Sequence, residues 1–357
     1  MNNFSMLRTC FLAVATLSGA AHSQTAEPRV PRERAPLAVP NPHYVTLAAS
    51  VTVNAPVDKV WARVGDFCAI TEWMNSPEFA DCTYLQGHGD FGSVRSIVSE
   101  VLVGKTQYSY TYAQPPHVKT AWNMAHSTLA AEAVTAATTR LSYTSMRDDS
   151  VLADDAARKR DMESRRASFQ SWLNNMKTLA EGGTLPPKPA GTLRPPNPEP
   201  FLVPNPHYAF VPLSIVVNAP IDAVWARVGK PCDIGEWGFE SCEIVSGKPG
   251  ELGLIRTIGN SVIVAQGRYS YTYTQPLRAS GFYNMYHGTL EARPLGADKT
   301  TLYYTILYDD SRQPDDAARQ RQVANFSGLF GKMLRNMKAL SEGGTLTPED
   351  KQAPTPR

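Results

Sequence analysis

The stretch VTVNAPVDKVWARVGDFCAITEW at residues 51 to 73 returns as IVVNAPIDAVWARVGKPCDIGEW at residues 215 to 237. In the first copy Val45, Leu47, Ala49, Val51 and Val53 alternate with other residues, a period of two that predicts a half-buried strand. Pro56 then opens a helix, and Val57, Val60, Trp61 and Val64 follow at i, i+3, i+4 and i+7 before Gly65 stops it. A second short helical piece is expected from Cys68 to Trp73.

Outward from this stretch the repetition continues. VPNPHY stands at 39 and 203, YSYTY at 108 and 269, DDAAR at 154 and 315, and EGGTL at 181 and 342. The offset is 164 before the cysteine segment and 161 after it. Two copies of one domain explain this, at 36–185 and 204–346, each long enough for its own core. Within the first copy Cys82–Leu85, Ser93–Val98, Val101–Gln107, Tyr108–Gln114, Ala121–Ala133 and Thr138–Arg147 read as successive strands of a mostly antiparallel sheet. The last element is a long helix from Asp154 to Glu181, with Phe169, Trp172, Leu173 and Met176 on one stripe. Asp154-Asp155 and Asp315-Asp316 suit the positive end of its dipole, and Asp148-Asp149-Ser150 and Asp309-Asp310-Ser311 are expected to cap or precede it. The connection 186–203 is rich in proline and is expected to stay solvated as a semi-rigid spacer. The tail 347–357 is expected to fray.

The chain has 357 residues, of which 42% are hydrophobic and 19% charged, so it is globular and neither disordered nor a small disulfide knot. A formal net charge of +2 leaves no field to recruit nucleic acid or an anionic membrane. Residues 1–23 carry one cation, an apolar stretch and then small residues, which reads as a secretory signal peptide. The mature chain is then periplasmic or secreted, without a membrane anchor. In such a compartment the four later cysteines suggest pairing as Cys68–Cys82 and Cys232–Cys242, one bridge per copy, with four buried thiols as the alternative. No metal or cofactor motif is present, so no metal and no cofactor is expected.

The element order resembles the SRPBCC superfamily, also called START-like or helix-grip, and within it the bacterial polyketide cyclase/dehydrase-like proteins. The residues that carry the resemblance are 51–73, Gly92 with Arg95, YSYTY at 108–112 and the helix ending LNNMKTLAEGG, and their counterparts in the second copy, including Gly253 with Arg256. The resemblance implies an α+β fold of two tandem helix-grip domains, each a curved antiparallel sheet around a long C-terminal helix, with a cavity for an apolar or aromatic small molecule. In this family a His-Pro commonly follows the Trp of the second helix, whereas Trp73 precedes Met74-Asn75 and Trp237 precedes Gly238-Phe239.

Candidate ligand-binding residues follow from strand chemistry. Tyr108, Tyr110 and Tyr112 share one strand face, as do Tyr269, Tyr271 and Tyr273. They line a pocket if that face is concave and are merely exposed if it is convex. Arg95 and Arg256, mid-strand among apolar neighbours, need either a ligand oxygen or an ion pair with an acidic neighbour such as Glu72 or Glu100, or Glu236 in the second copy. His126 and His287 occupy equivalent strand positions and would move protons if they sat in the pocket. Two functions therefore stand side by side. One is a carrier that binds a hydrophobic or aromatic molecule in its cavities, with Trp73 and Trp237 among the lining residues. The other is a cyclase, dehydratase or lyase in which Arg, Tyr110 or Tyr271, and His126 or His287 stabilise an enolate and shuttle its proton.

Overall fold

A computed structural model of the chain describes residues 36–78, 81–116, 121–191, 201–277 and 281–356. The signal peptide expected at 1–23 lies outside these residues. So do 192–200, the centre of the proline-rich connection.

The first copy runs β1 (Tyr44–Val53), α1 (Val57–Val64), α2 (Ile70–Met74), β2 (Tyr84–Gln86), β3 (Val94–Arg95), β4 (Glu100–Thr106), β5 (Ser109–Gln114), β6 (Met124–Ala133), β7 (Thr139–Asp148) and α3 (Asp155–Ala180). The second repeats it as β8 (Tyr208–Val217), α4 (Ile221–Val228), α5 (Ile234–Trp237), β9 (Ile244–Ser246), β10 (Ile255–Arg256), β11 (Ser261–Gly267), β12 (Ser270–Thr274), β13 (Met285–Pro294), β14 (Thr300–Asp309) and α6 (Asp316–Ser341). Each copy folds into a seven-stranded antiparallel sheet, ordered β1-β7-β6-β5-β4-β3-β2 and β8-β14-β13-β12-β11-β10-β9. The two tandem helix-grip domains of the α+β class are thus present.

The inner face of each sheet closes on its long helix. Leu47 and Val53 of β1, Leu129 of β6, Leu141 and Tyr143 of β7 and Phe169, Leu173 and Met176 of α3 form one buried core with Trp73. Asp154 caps α3 by accepting from the Ala157 N–H at 2.7 Å, and Asp315 caps α6 in the same way. Asp148-Asp149-Ser150 precede this helix, as expected, without capping it. Asp148 accepts the His43 N–H at 2.5 Å and Asp149 meets His43 Nδ1 at 2.5 Å, so these carboxylates tie down the chain entering β1. Asp309 and Asp310 hold His207 likewise, which explains why VPNPHY recurs. Disulfides join Cys68 to Cys82 and Cys232 to Cys242.

The outer faces pack against each other. Val94, Val101 and Val103 meet Met285 and Leu307, while Met146 meets Ile255, Val262 and Val264. The exchange is reciprocal. A Cβ on Gly92 (φ +80°) would lie 2.7 Å from Tyr208 Cβ, and one on Gly253 (φ +84°) would lie 2.7 Å from Tyr44 Cβ. Each glycine of the Gly-x-x-Arg segment therefore supplies a turn that L side chains resist and makes room for the other copy's first strand. The spacer reading of the connection is corrected at its end, since Val203 is buried in this same seam with Phe201 and Leu202 beside it. The tail is bonded too: Lys332 reaches the Glu349 carbonyl at 2.8 Å, and Asn336 reaches that of Asp350 at 2.9 Å.

Candidate functional site

Strand alternation directs Tyr110 and Tyr112 of β5 to the inner face, where they meet Phe67. This face of β5, like that of β12 with Tyr271 and Tyr273, closes on the long helix. The phenols do not line open space, however. Tyr110 and Tyr112 are both buried, and the Tyr112 and Tyr143 hydroxyls share a hydrogen bond. Trp73 and Phe169 both pack on Tyr143, at 6.1 and 4.6 Å between ring centres. In the second copy Tyr273 bonds Tyr304 at 3.0 Å, and Phe330 packs on Tyr304 at 4.9 Å. Tyr143 and Tyr304 were not among the sequence candidates, although each lies two residues past a buried leucine, Leu141 or Leu302, in its strand. Tyr108 and Tyr269 serve the fold instead. Their hydroxyls donate to Asp58 and Asp222, fastening the sheet to α1 and α4.

Burial sets the protonation of these phenols. It pushes Tyr110 up to about 12 despite the lowering influence of Arg95, and it raises Tyr271 in the same sense. Both remain neutral at ordinary pH.

The two arginines reach the interior from β3 and β10, and neither is exposed to solvent. Arg95 donates from Nε to Glu100 at 2.6 Å, from Nη1 to the Phe67 carbonyl, and lies 4.1 Å over the Phe67 ring. The second oxygen of Glu100 accepts from Gln114 at 2.5 Å. Arg95 Nη2 also forms an ion pair with Glu100, so of the two ion-pair partners considered for Arg95, Glu100 is the one used. Glu72 instead meets Arg63 at 2.6 Å on the surface.

Position 261 carries Ser where the first copy has Glu100. Arg256 therefore donates to Ser261 Oγ at 2.8 Å and to the Pro231 carbonyl, and its Nη2 has no hydrogen-bond partner. The Tyr273 ring lies 4.6 Å away and that of Tyr271 5.7 Å away. Glu236, the carboxylate considered for it, pairs with Arg227 outside. The second interior thus holds a desolvated cation among phenols, with no carboxylate bonded to it.

The far ends of the interiors differ as well. In the first copy Arg147 and Arg165 both bond Asp161, and Arg165 stacks 4.8 Å over Trp122. In the second, Tyr308 and Phe326 replace the arginines and Tyr286 replaces Ala125. The rings of Phe282, Tyr286, Tyr308 and Phe326 then pack at 4.9 to 6.5 Å. Phe282 and Phe326 also border a cavity of about 730 Å³ beside α6, which the tail residues Pro354 and Pro356 help to enclose.

His126 and His287 lie elsewhere. Both project from the outer faces of β6 and β13 into the seam, where Nε2 of one is 3.0 Å from Nε2 of the other. The pocket placement that catalysis required is corrected: His126 is one residue out of phase with Leu129 and Ala131, which face the core. Burial lowers His126 to about 3 and His287 in the same direction, with no acidic neighbour to offset it. Among the described residues no group of three or more His, Cys, Asp or Glu could hold a metal ion, and no helix is long and apolar enough to cross a membrane.

A family described as polyketide cyclase / dehydrase and lipid transport matches residues 44–181. No curated protein sequence matches the chain. Among solved structures, the di-domain ARO/CYC BexL is similar at 12% identity, covering 85% of this chain and 99% of its own, with a TM-score of 0.30. A protein from Nitrosospira multiformis (23% identity, 40% of this chain, all of its own, TM-score 0.32) and the Zhui aromatase/cyclase from a Streptomyces species (19%, 40%, all of its own, 0.30) align with a single copy. Likeness at these values assigns no activity to this chain. The family match thus spans the first domain, and the second domain repeats that domain's sheet, paired short helices, closing helix and Gly-x-x-Arg turn.

Proposed function

We propose that the protein binds a small, planar, largely apolar molecule between sheet and long helix, in an oxidising compartment outside the cytoplasm, and that the second domain prefers a guest with one anionic or strongly polarised oxygen. Arg256 is the observation that carries this reading. A buried guanidinium is costly without a counter-charge, and here a free Nη2 and two phenol faces stand where a carboxylate or enolate would be gripped. The rings occupy the interior, so a guest takes the place of a movable one. Phe282 and Phe326, between the aromatic cluster and the 730 Å³ cavity, are placed for that exchange.

Binding is favoured over turnover by the position of the histidines. Among the described residues neither interior contains an imidazole, and burial raises the Tyr110 and Tyr271 phenols away from neutral pH. Tryptophan fluorescence titration with naphthoate and with naphthamide tests the reading. Naphthoate should bind the wild type more tightly, and Arg256→Met should remove that preference while leaving naphthamide unaffected. Equal affinity for both probes in the wild type refutes it. Native mass spectrometry of protein recovered from its own cells then identifies the natural guest.

A further inference from the structure

The seam histidines form a second constellation that the ligand-binding reading does not use. Their ring centres are 5.2 Å apart, only about a ring's width more than the 3.0 Å between the Nε2 atoms, so the imidazoles meet end on. In this state one Nε2–H bonds the other Nε2, and neither Nδ1 has a partner. Soft donors surround the pair. Met124 and Met285 each lie two residues before a histidine on the same strand face, and Met146 is the cross-strand partner of His126. A cavity of about 250 Å³ leads to the pair between Gln114, Gln275, Met124 and Met285.

We propose that this seam is a binding site for a monovalent d10 metal ion, Cu(I) or its analogue Ag(I), held end on between Nε2 of His126 and Nε2 of His287. Collinear lone pairs suit an ion that takes two strong donors in a line, and thioethers favour the same soft metal. Zn(II) fits poorly, because it seeks four ligands and brings a double charge into a buried site with no carboxylate. Coordination requires both Nε2 lone pairs. The hydrogen between the rings moves to an Nδ1, so each imidazole stays neutral and no net proton is released. The Nε2 atoms must part to about 4 Å, twice a metal–imidazole bond of about 2.0 Å.

The test uses the full chain carrying Cys10→Ser, so that no free thiol competes. Anaerobic titration against the Cu(I)–bicinchoninate complex should withdraw one equivalent of Cu(I), and His126→Gln and His287→Gln should each lose that uptake. No uptake by the parent chain, or unchanged uptake in both variants, overturns the proposal. X-ray absorption on the loaded parent protein gives a reading that does not depend on how the variants fold. Two nitrogen scatterers at about 2.0 Å support the site, and a shell with fewer than two nitrogens overturns it.

Discussion

The two domains share a backbone plan and differ where it matters chemically. In the first, Glu100 and Gln114 close a network around Arg95; in the second, Ser261 leaves Arg256 with a hydroxyl, a carbonyl and ring faces. At the far end the first has two arginines on one aspartate, and the second a cluster of aromatic rings. The two copies share the residues that close sheet on helix and differ at those that surround the buried arginine and fill the far end. The seam is the reverse case, where each copy contributes one histidine to a shared pair and one tyrosine that packs on the other's glycine.

The largest effect is expected from making the first domain like the second. Glu100→Ser removes one partner of a buried pair and should cost about 3–5 kcal/mol in urea unfolding. A loss near zero would mean that Arg95 tolerates isolation as Arg256 does, and the contrast between the interiors would fail. The next test concerns Gly288, which stands where the first copy has Ser127. A Cβ there would lie 2.4 Å from Tyr273 Oη, so Gly288→Ala should cost about 1–3 kcal/mol by overpacking, whereas Ser127→Gly in the first copy should leave its Tyr112 ring in place. Unchanged stability of Gly288→Ala would show that Tyr273 has room to move, as a ligand site requires.

The seam supplies an effect with a sign in pH. Both histidines are held below the value of about 6.5 they have when unfolded, so the unfolded chain binds more protons. Their contribution is complete above pH 6.5 and is lost as pH falls from there, for His126 toward about 3, at up to about 1.4 kcal/mol per pH unit for each group. The double variant His126→Gln/His287→Gln should flatten the urea-midpoint profile between pH 6.5 and 5. A profile as steep as that of the parent would assign the acid sensitivity to other groups.

Much of the architecture is legible without coordinates. Self-comparison exposes the duplication, period-two and period-3.6 patterns place the strands and helices, and the bridges join the close cysteine pairs. These are local properties, written within a few residues of one another. The site is legible only in part. Arg95, Tyr110, Tyr112 and Trp73 do converge, but the alternation that groups side chains on a face does not say which face is inward, and so the sequence alone places His126 with the tyrosines.

What the amino-acid order determined by itself is the repeated element plan, because hydrophobic period and turn chemistry act over neighbouring residues. What only the tertiary structure decided is which surfaces meet. Val203 is buried in the seam at the end of a proline-rich connection, and two imidazoles 161 residues apart touch because two convex sheets, each with an apolar outer face, had nothing better to bury against than each other.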